Sequence, residues 1–454
     1  MAYEPEPMLS VDAAQDRVLA TAGEPLPAVD VTLDEALGMV LAEPLRSLID
    51  LPPWDNSSMD GFAVHADDVA GATRSAPVRL RVVGEVRAGG SPDLQVPAGC
   101  AVRIATGARV PSSTDAVVPV ENTIVVGPAD GLSPGQAGAP SAPRTSGFRA
   151  AEPVPEECGV VAPVGRGEFI RRRGEDVQAG ATVLDTGRRI GPAQIAMAAA
   201  VGAGVMHVHR RPVAGVLSTG DELRSARQQL GESGIPDANR PGLLAMCRAA
   251  GAETVDLGIA ADSLEAVLAA LRPAMERLDL LIVSGGVSVG PYDVVRAAFD
   301  AIGRVDLWRV AVQPGKPFAF GRSEPRPRDG RQVLLFGLPG NPVSALVTFE
   351  LFVKPALQRI SGVSSPALDS DRAVTEDRLA KATGRRGFLR VIVARDERGS
   401  PVRDDQGRLR VRQAGGQGSH MLSAMAGADA LAIVPEAVDR IEPGGEVEIR
   451  WLRI

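Results

Sequence analysis

Between Arg211 and Leu357 the chain alternates short apolar runs with helix-patterned segments, which predicts a multidomain α/β protein centred on a doubly wound parallel sheet. Three observations carry the prediction. RPVAGVLSTGDEL (211–223), LDLLIVSGGVSVG (278–290) and VLLFGLPGNPVSALVTFELFVKPAL (333–357) each run an apolar strand straight into small, polar or glycine residues. Helical segments lie between them: Asn239 caps one to about Ala250, Asp262 or Ser263 opens another to about Arg277, and Pro291 begins a third. The segments flanking this unit are patterned as strands, with extended or helical stretches at the N-terminus.

Taken in chain order, Val11–Ala22 and Val31–Ala42 read as helices, the second opening with Thr32 and Glu35 at capping-box spacing. From Leu45 to about Val126, runs such as VRLRVVGEV, CAVRIA and DAVVPVENTIVV are broken by Gly and Pro, as in a small β-rich domain. Residues 127–157, rich in Gly, Pro, Ala and Ser without periodicity, read as a flexible insertion. A helix returns from Gly191 to about Val201, and Val255–Ile259 supplies a further strand of the α/β unit. After Pro366, FLRVIVA, RLRVRQ, ALAIVP and EVEIRW alternate as a C-terminal β-barrel-like domain would. The expected division is 1–50 with 160–210 as an extended helical domain, 51–159 β-rich, 211–362 α/β, and 363–454 C-terminal β.

Composition narrows the class. At 454 residues and 44% hydrophobic content the chain can bury several cores. A net charge of -7 argues against nucleic acid as a partner. Cys100, Cys158 and Cys247 form no CxxC, which suits a reducing compartment and a cytoplasmic location. The N-terminus lacks the pattern of a signal peptide, and no uncharged apolar run is long enough for a membrane span.

The last of the three strand endings describes an anion site most directly. Gly337–Gly340 must turn sharply, Asn341 stands as N-cap, and Pro342 takes the first helical position, where its missing N–H costs nothing. The helix that follows aims free N–H groups and the positive end of its dipole into the loop. An ordinary packing connection would look much the same. By the topology rule for open α/β sheets, all three loops fall on one edge, where ligands bind. Two charged motifs lie outside this unit. PWDNSSMDGFAV (53–64) reads equally as a tight turn. FIRRRGED (169–176) reads either as a solvated face or as an arginine clamp for phosphate beside an acid.

PWDNSSMDGFAV, AVRIATGARVP with DAVVPVE, RRRGEDVQAG, STGDEL, SGGVSVGPYD, QPGKPFAFG, GLPGNPVSALVTF and GSH (418–420) occur in the order found in the molybdopterin molybdenumtransferases. The chain thus resembles that family, which includes bacterial MoeA and is similar to the C-terminal domain of gephyrin and plant Cnx1. The resemblance implies an elongated homodimer of four-domain subunits with a MogA-like α/β domain. It implies a Mg²⁺-dependent reaction in which adenylated molybdopterin and molybdate give molybdenum cofactor and AMP. Molybdopterin adenylyltransferase and apo-molybdoenzymes would be protein partners.

Carried onto this chain, the resemblance assigns Asp60, Asp176, Glu222, Asp293 and Lys316 to catalysis, with Glu222 and Asp293 holding Mg²⁺. Pterin and phosphate would contact Thr106, Arg171, Ser218, Thr219, Gly220, Asp221, Asp262, Ser284, Gly285, Gly286, Ser288, Pro339, Asn341 and Pro342. Lys316, Ser344, Arg390 and Ser419 would take molybdate, a tetrahedral dianion suited to an ammonium, hydroxyls and backbone N–H groups. Asp60, Thr106, Arg171 and Asp176 would serve the crevice of the other subunit. Blander roles exist for several of these: Asp262 as an N-cap, Asp221 in a turn, Asp293 at a helix start. Gln313 stands where many relatives have lysine, and Arg296 where lysine is frequent. A tungstate-inserting paralogue, a gephyrin-like scaffold and a pterin adenylyltransferase are the alternatives. The scaffold would ordinarily bring a fused partner domain, and the adenylyltransferase would lack the β domains.

Overall fold

The computed structural model describes residues 8–91, 93–126, 153–286, 294–364 and 370–452. The chain divides into two compact units, one of residues 1–43, 185–192 and 205–454, the other of residues 44–184 and 193–204.

In the larger unit a six-stranded sheet has the order Glu253–Ala260, Val213–Thr219, Leu280–Ser284, Leu334–Leu338, Pro317–Ser323, Gly303–Arg309. The first four strands run parallel, as expected of apolar runs joined through helices. Pro317–Ser323 pairs antiparallel with both its neighbours, so the sheet is mixed. The cause is the short link between Arg309 and Pro317, closed by Val310 N–H donating to the Lys316 carbonyl at 3.0 Å, which leaves no room for a crossover helix. Ser218, Ser284 and Leu338 fall in one row of the parallel register, so the three glycine-bearing loops leave the sheet side by side. Helices cover both faces, and two cores result. One gathers Leu280, Ile282, Phe336 and Phe352 with Val11, Ala14 and Val18 of the N-terminal helix; the other gathers Leu281, Val283, Leu335 and Phe299.

The C-terminal strands close on themselves. Arg386–Val393 pairs with both Leu409–Gln413 and Ala430–Val434, and Ser370–Thr375 and Glu446–Trp451 complete a five-stranded ring. Leu389, Val391, Val411, Ala432 and Ile449 fill its interior. Phe388 and Leu431 point the other way and join the core of the α/β sheet, which fastens the barrel to the crevice side chains on the same strand.

In the smaller unit a six-stranded sheet orders as Ala116–Pro119, Gly61–Val64, Cys100–Ile104, Val78–Val86, Glu157–Val160, Thr123–Val126. The N-terminal helix Val11–Ala22 forms as expected, with the Ser10 hydroxyl accepting from Ala13 N–H. The helix Pro192–Ala200 forms as well.

Two local expectations are corrected, and a third falls outside the described residues. Val31–Ala42 is not a helix: Ala28–Thr32 is a strand paired residue for residue with Val205–His209. The Thr32 N–H and hydroxyl do donate to the Glu35 carboxylate at 3.1 and 2.9 Å, yet the chain only turns, reaching Gly38 at φ +78°. Five cross-strand pairs outweigh one local cap. Asn239 is the first residue of its helix rather than its cap, and its amide spans the sheet edge instead. The third helix begins in the described residues at Val294, and the expected start at Pro291 lies outside them. Among the described residues, no helix is long and apolar enough to cross a membrane.

Candidate active site

The carboxyl edge of the parallel strands is built by close backbone approach. Gly285 has φ +99°, and a Cβ there would lie 2.4 Å from the Thr219 carbonyl oxygen. Gly286 has φ +62°, and a Cβ would meet Val295 at 2.8 Å and the Thr219 hydroxyl at 3.0 Å. Only glycine lets the second loop pass this near the first. Asn239 locks the same row, donating from Nδ2 to Ser284 Oγ at 2.8 Å and to the Gly340 carbonyl at 2.7 Å, so it ties the second loop to the third. Ser284 Oγ also reaches the Pro339 carbonyl at 3.4 Å, and Ser218 Oγ donates to Asp237 Oδ1 at 3.0 Å. Among the described residues the buried Asn239 Oδ1 has no hydrogen-bonding partner, and the Thr219 hydroxyl faces the Asp262 carboxyl, acting to lower its pKa.

The first loop carries the acids. Asp221 Oδ1 accepts from Asp262 N–H at 3.1 Å, and a Cβ at Gly220 would lie 2.8 to 3.0 Å from the Glu222 carboxyl. Desolvation, reinforced by the charges of Asp221 and Glu222, pushes the Asp262 carboxyl above its ordinary value. Asp293 and Ser288 lie outside the described residues.

The third loop meets the barrel. Asn341 occupies the N-cap and Pro342 the first turn of a continuous helix from Pro342 to Ile360, which includes a π turn at Phe349–Val353. The Asn341 side chain makes no capping bond. Val343 N–H donates instead to the Ser419 carbonyl at 3.1 Å, which brings the GSH segment against the helix start, one residue from the buried Ser344. Arg390 is wholly buried on the barrel strand Arg386–Val393. Its Nη2 donates to the Gly416 and Gly418 carbonyls at 3.0 and 3.1 Å, whereas Nε and Nη1 find no acceptor among the described residues. Burial lowers its pKa, though not enough to make a guanidinium neutral. Lys316, half-buried, follows Gly315, whose position is packed against Thr348 and the Ser344 carbonyl. Gln313 is spent on structure, its Oε1 accepting from Ala382 N–H at 3.0 Å.

Asp60, Thr106, Arg171 and Asp176 belong to the smaller unit. There the Thr106 N–H and hydroxyl both donate to Asp60 Oδ1 at 2.8 Å, which fixes that carboxylate in a half-buried loop. Of the three consecutive arginines, Arg172 pairs with Asp55 at 2.7 Å and Arg173 with Asp50 at 2.5 Å, while Arg171 and Asp176 are exposed. Burial alone would raise the Asp55 carboxyl, but the Arg173 N–H and the Arg172 guanidinium hold it below its usual value.

Asn239, Asp237 and Gln417 are site-building residues that pattern reading did not find. Gln417 accepts from Arg390 N–H at 2.9 Å and donates to the Arg390 carbonyl at 3.1 Å. Asn239 was visible only as a helix-start residue. The one available signal for Gln417 was its place beside GSH.

Family models match almost end to end: the MoeA N-terminal region (domain I and II) over residues 9–202, a probable molybdopterin binding domain over 215–359, and the MoeA C-terminal region (domain IV) over 372–452. The chain is 33% identical over 445 residues to a molybdopterin molybdenumtransferase of Haemophilus influenzae, covering 97% of this chain and 98% of that one. It is 35% identical over 448 residues to molybdopterin molybdenumtransferase 2 of Mycobacterium tuberculosis, covering 97% and 99%. Two crystal structures of the molybdopterin biosynthesis MoeA protein of Pyrococcus horikoshii superpose with TM-scores of 0.73 and 0.74 at 28% and 25% identity. They match 99% and 98% of this chain and 100% of theirs.

Proposed function

The chain belongs to the molybdopterin molybdenumtransferase family, and we propose on that premise that it inserts molybdate into adenylated molybdopterin with release of AMP. The observation that carries the reading is Arg390. A fully buried guanidinium with two nitrogens lacking acceptors is costly unless an anion completes it. The neighbouring Ser419, the N-terminus of the helix at Pro342 and the buried Ser344 supply hydroxyl and N–H donors of the kind a tetrahedral oxyanion accepts. Lys316 adds an ammonium on the loop that abuts Ser344.

The pterin phosphate and its bond to AMP would lie along Ser218, Thr219, Gly220, Ser284, Gly285, Gly286 and Pro339. The glycines allow backbone contact there, and the acceptor Asn239 Oδ1 has no partner among the described residues. Asp221 and Glu222 fit a hard divalent cation, because their charges already crowd Asp262 and a cation would relieve the repulsion. Among the described residues no three acidic, histidine or cysteine side chains form a ligand set by themselves. Mg²⁺ would fill the rest of its shell with water and phosphate oxygens. When bound, the cation would neutralise the phosphoanhydride oxygens and favour departure of AMP. Asp60, positioned by Thr106, together with Arg171 and Asp176, would serve the crevice of a second subunit in a cytoplasmic homodimer of four-domain chains divided as the sequence suggests.

The test is AMP release from adenylated molybdopterin by the purified protein with Mg²⁺, comparing no oxyanion, molybdate and tungstate over a concentration series. Molybdate-dependent release at low concentration is expected. Preference for tungstate would point to the tungstate-inserting paralogue, and no release from folded dimer would favour the scaffold.

A further inference from the structure

Three cations gather where the α/β sheet meets the barrel, without a counter-ion among the described residues. Arg309 ends the edge strand Gly303–Arg309 and lies opposite Pro317 in the antiparallel register, beside Lys316. Arg385 immediately precedes Arg386, which pairs with Val312 and whose N–H donates to the Ala311 carbonyl at 2.7 Å, so the barrel delivers it to the same loop. All three side chains are half-buried, and among the described residues none has an ion pair or side-chain hydrogen bond. The adjoining cations are otherwise disposed: Arg386 is bound to Asp12 and Glu436, and the Lys381 ammonium donates to the Ala382 and Glu436 carbonyls. Partial burial first, then the charges of Arg309 and Arg385, hold the Lys316 ammonium below its ordinary pKa, so the group stands as mutually repelling positive charge. Gln313, the remaining polar side chain of the loop, is neutral and committed to Ala382.

We propose that Arg309 and Arg385 are further substrate-binding residues, forming with Lys316 a three-cation arm that selects a tetrahedral oxyanion by its double negative charge. The assignment rests on the molybdate-inserting reading above and deepens it. Cations that repel one another gain with each added charge on the ligand, so a dianion is favoured over a monoanion of the same shape. Molybdate and tungstate carry two charges, whereas perrhenate is a tetrahedral oxyanion of similar size with one. The same arm could instead grip the phosphate of the nucleotide, and AMP tests that source.

The experiment is calorimetric titration of the full-length protein at fixed ionic strength with molybdate, tungstate, perrhenate and, separately, AMP. The variants are R309Q, R385Q, the double R309Q/R385Q, and R309K/R385K. The wild type should bind molybdate and tungstate at least about tenfold more tightly than perrhenate, each glutamine variant should weaken molybdate about tenfold, and the double variant should lose the preference. The lysine pair should keep it, and AMP affinity should stay as it was. Equal wild-type affinity for perrhenate and tungstate would overturn the proposal even if the glutamine variants failed to fold. Unchanged molybdate binding in a folded double variant would overturn it while leaving the proposed reaction standing, as would loss confined to AMP. A wild type that takes up no dianion and releases no AMP would overturn the proposed reaction and this arm together.

Discussion

Two arginine clusters of the larger unit look alike in composition and differ in partners. Near the amino ends of the sheet strands, Arg210 makes a bidentate pair with Asp279 at 2.7 Å for both bonds, and Asp279 also accepts from Val213 N–H at 3.0 Å. Arg326, almost as buried as Arg390, pairs with Asp329 and donates to the Leu278 carbonyl at 2.9 Å. At the other cluster Arg390, Lys316, Arg309 and Arg385 have no carboxylate among the described residues. The first arrangement is self-sufficient and holds strands in place. The second is left open among the described residues, as the proposed oxyanion site requires. A count of arginines does not separate them, and an inventory of acceptors does.

Substitutions that treat the clusters alike should give opposite results. Asp279→Ala, which strips Arg210 and Val213 N–H of their acceptor, should cost about 3 kcal/mol of stability in denaturant unfolding and leave AMP release per folded molecule intact. Arg390→Met should do the reverse. AMP release at limiting molybdate should fall about a hundredfold with the melting temperature held or raised, because the change removes an uncompensated buried charge at nearly constant volume. A collapse of the fold in Arg390→Met would assign that arginine to architecture.

Lys316→Ala should act more mildly, raising the molybdate concentration needed for half-maximal AMP release by about tenfold while pterin binding hardly changes. Equal loss of both would remove the lysine from the oxyanion site. The smallest effect concerns an exposed pair remote from either cluster. The carboxylate of Asp30, 2.8 Å from His207 Nδ1, raises the His207 pKa above its ordinary value of 6.5, with Glu43 adding to it against slight desolvation. A raised folded pKa means the contribution is full below 6.5 and lost as pH climbs through the folded value. The melting-temperature difference between wild type and His207→Gln should therefore shrink between about pH 6 and pH 8. A difference independent of pH would show that the pair is not charge-assisted.

The parts of the site made by local chemistry were readable. Glycines at 285 and 286 marked a loop at a strand end and adopt positive φ, and Pro342 after Asn341 marked a helix start that exists. Where reading failed, a distant partner decided. Asn341 keeps the cap position, yet the donor it was expected to satisfy goes to Ser419, far along the chain. Asn239 is a plausible cap by type, but Ser284 and Gly340 compete for its amide and win. Val31–Ala42 has a helix-start spacing that is honoured to the hydrogen bond, and a strand still forms before it because Val205–His209 offers a complete ladder.

The sequence by itself determined the alternating strand and helix order of the α/β unit, the tight glycine loops at its strand ends, the β character of the C-terminal region and, through ordered motifs, the family. These follow from side-chain period and backbone conformational limits, which act over a few residues. Only the tertiary structure decided that Pro317–Ser323 runs against its neighbours in the sheet, which five C-terminal strands pair to close the expected barrel, and which charged groups are left without partners among the described residues. Pairing is a property of the whole inventory of donors and acceptors after folding. Arg326 and Arg390 are both arginines in a list of letters, and the carboxylate that reaches one and not the other makes one a brace and leaves the other as the socket proposed for an anion.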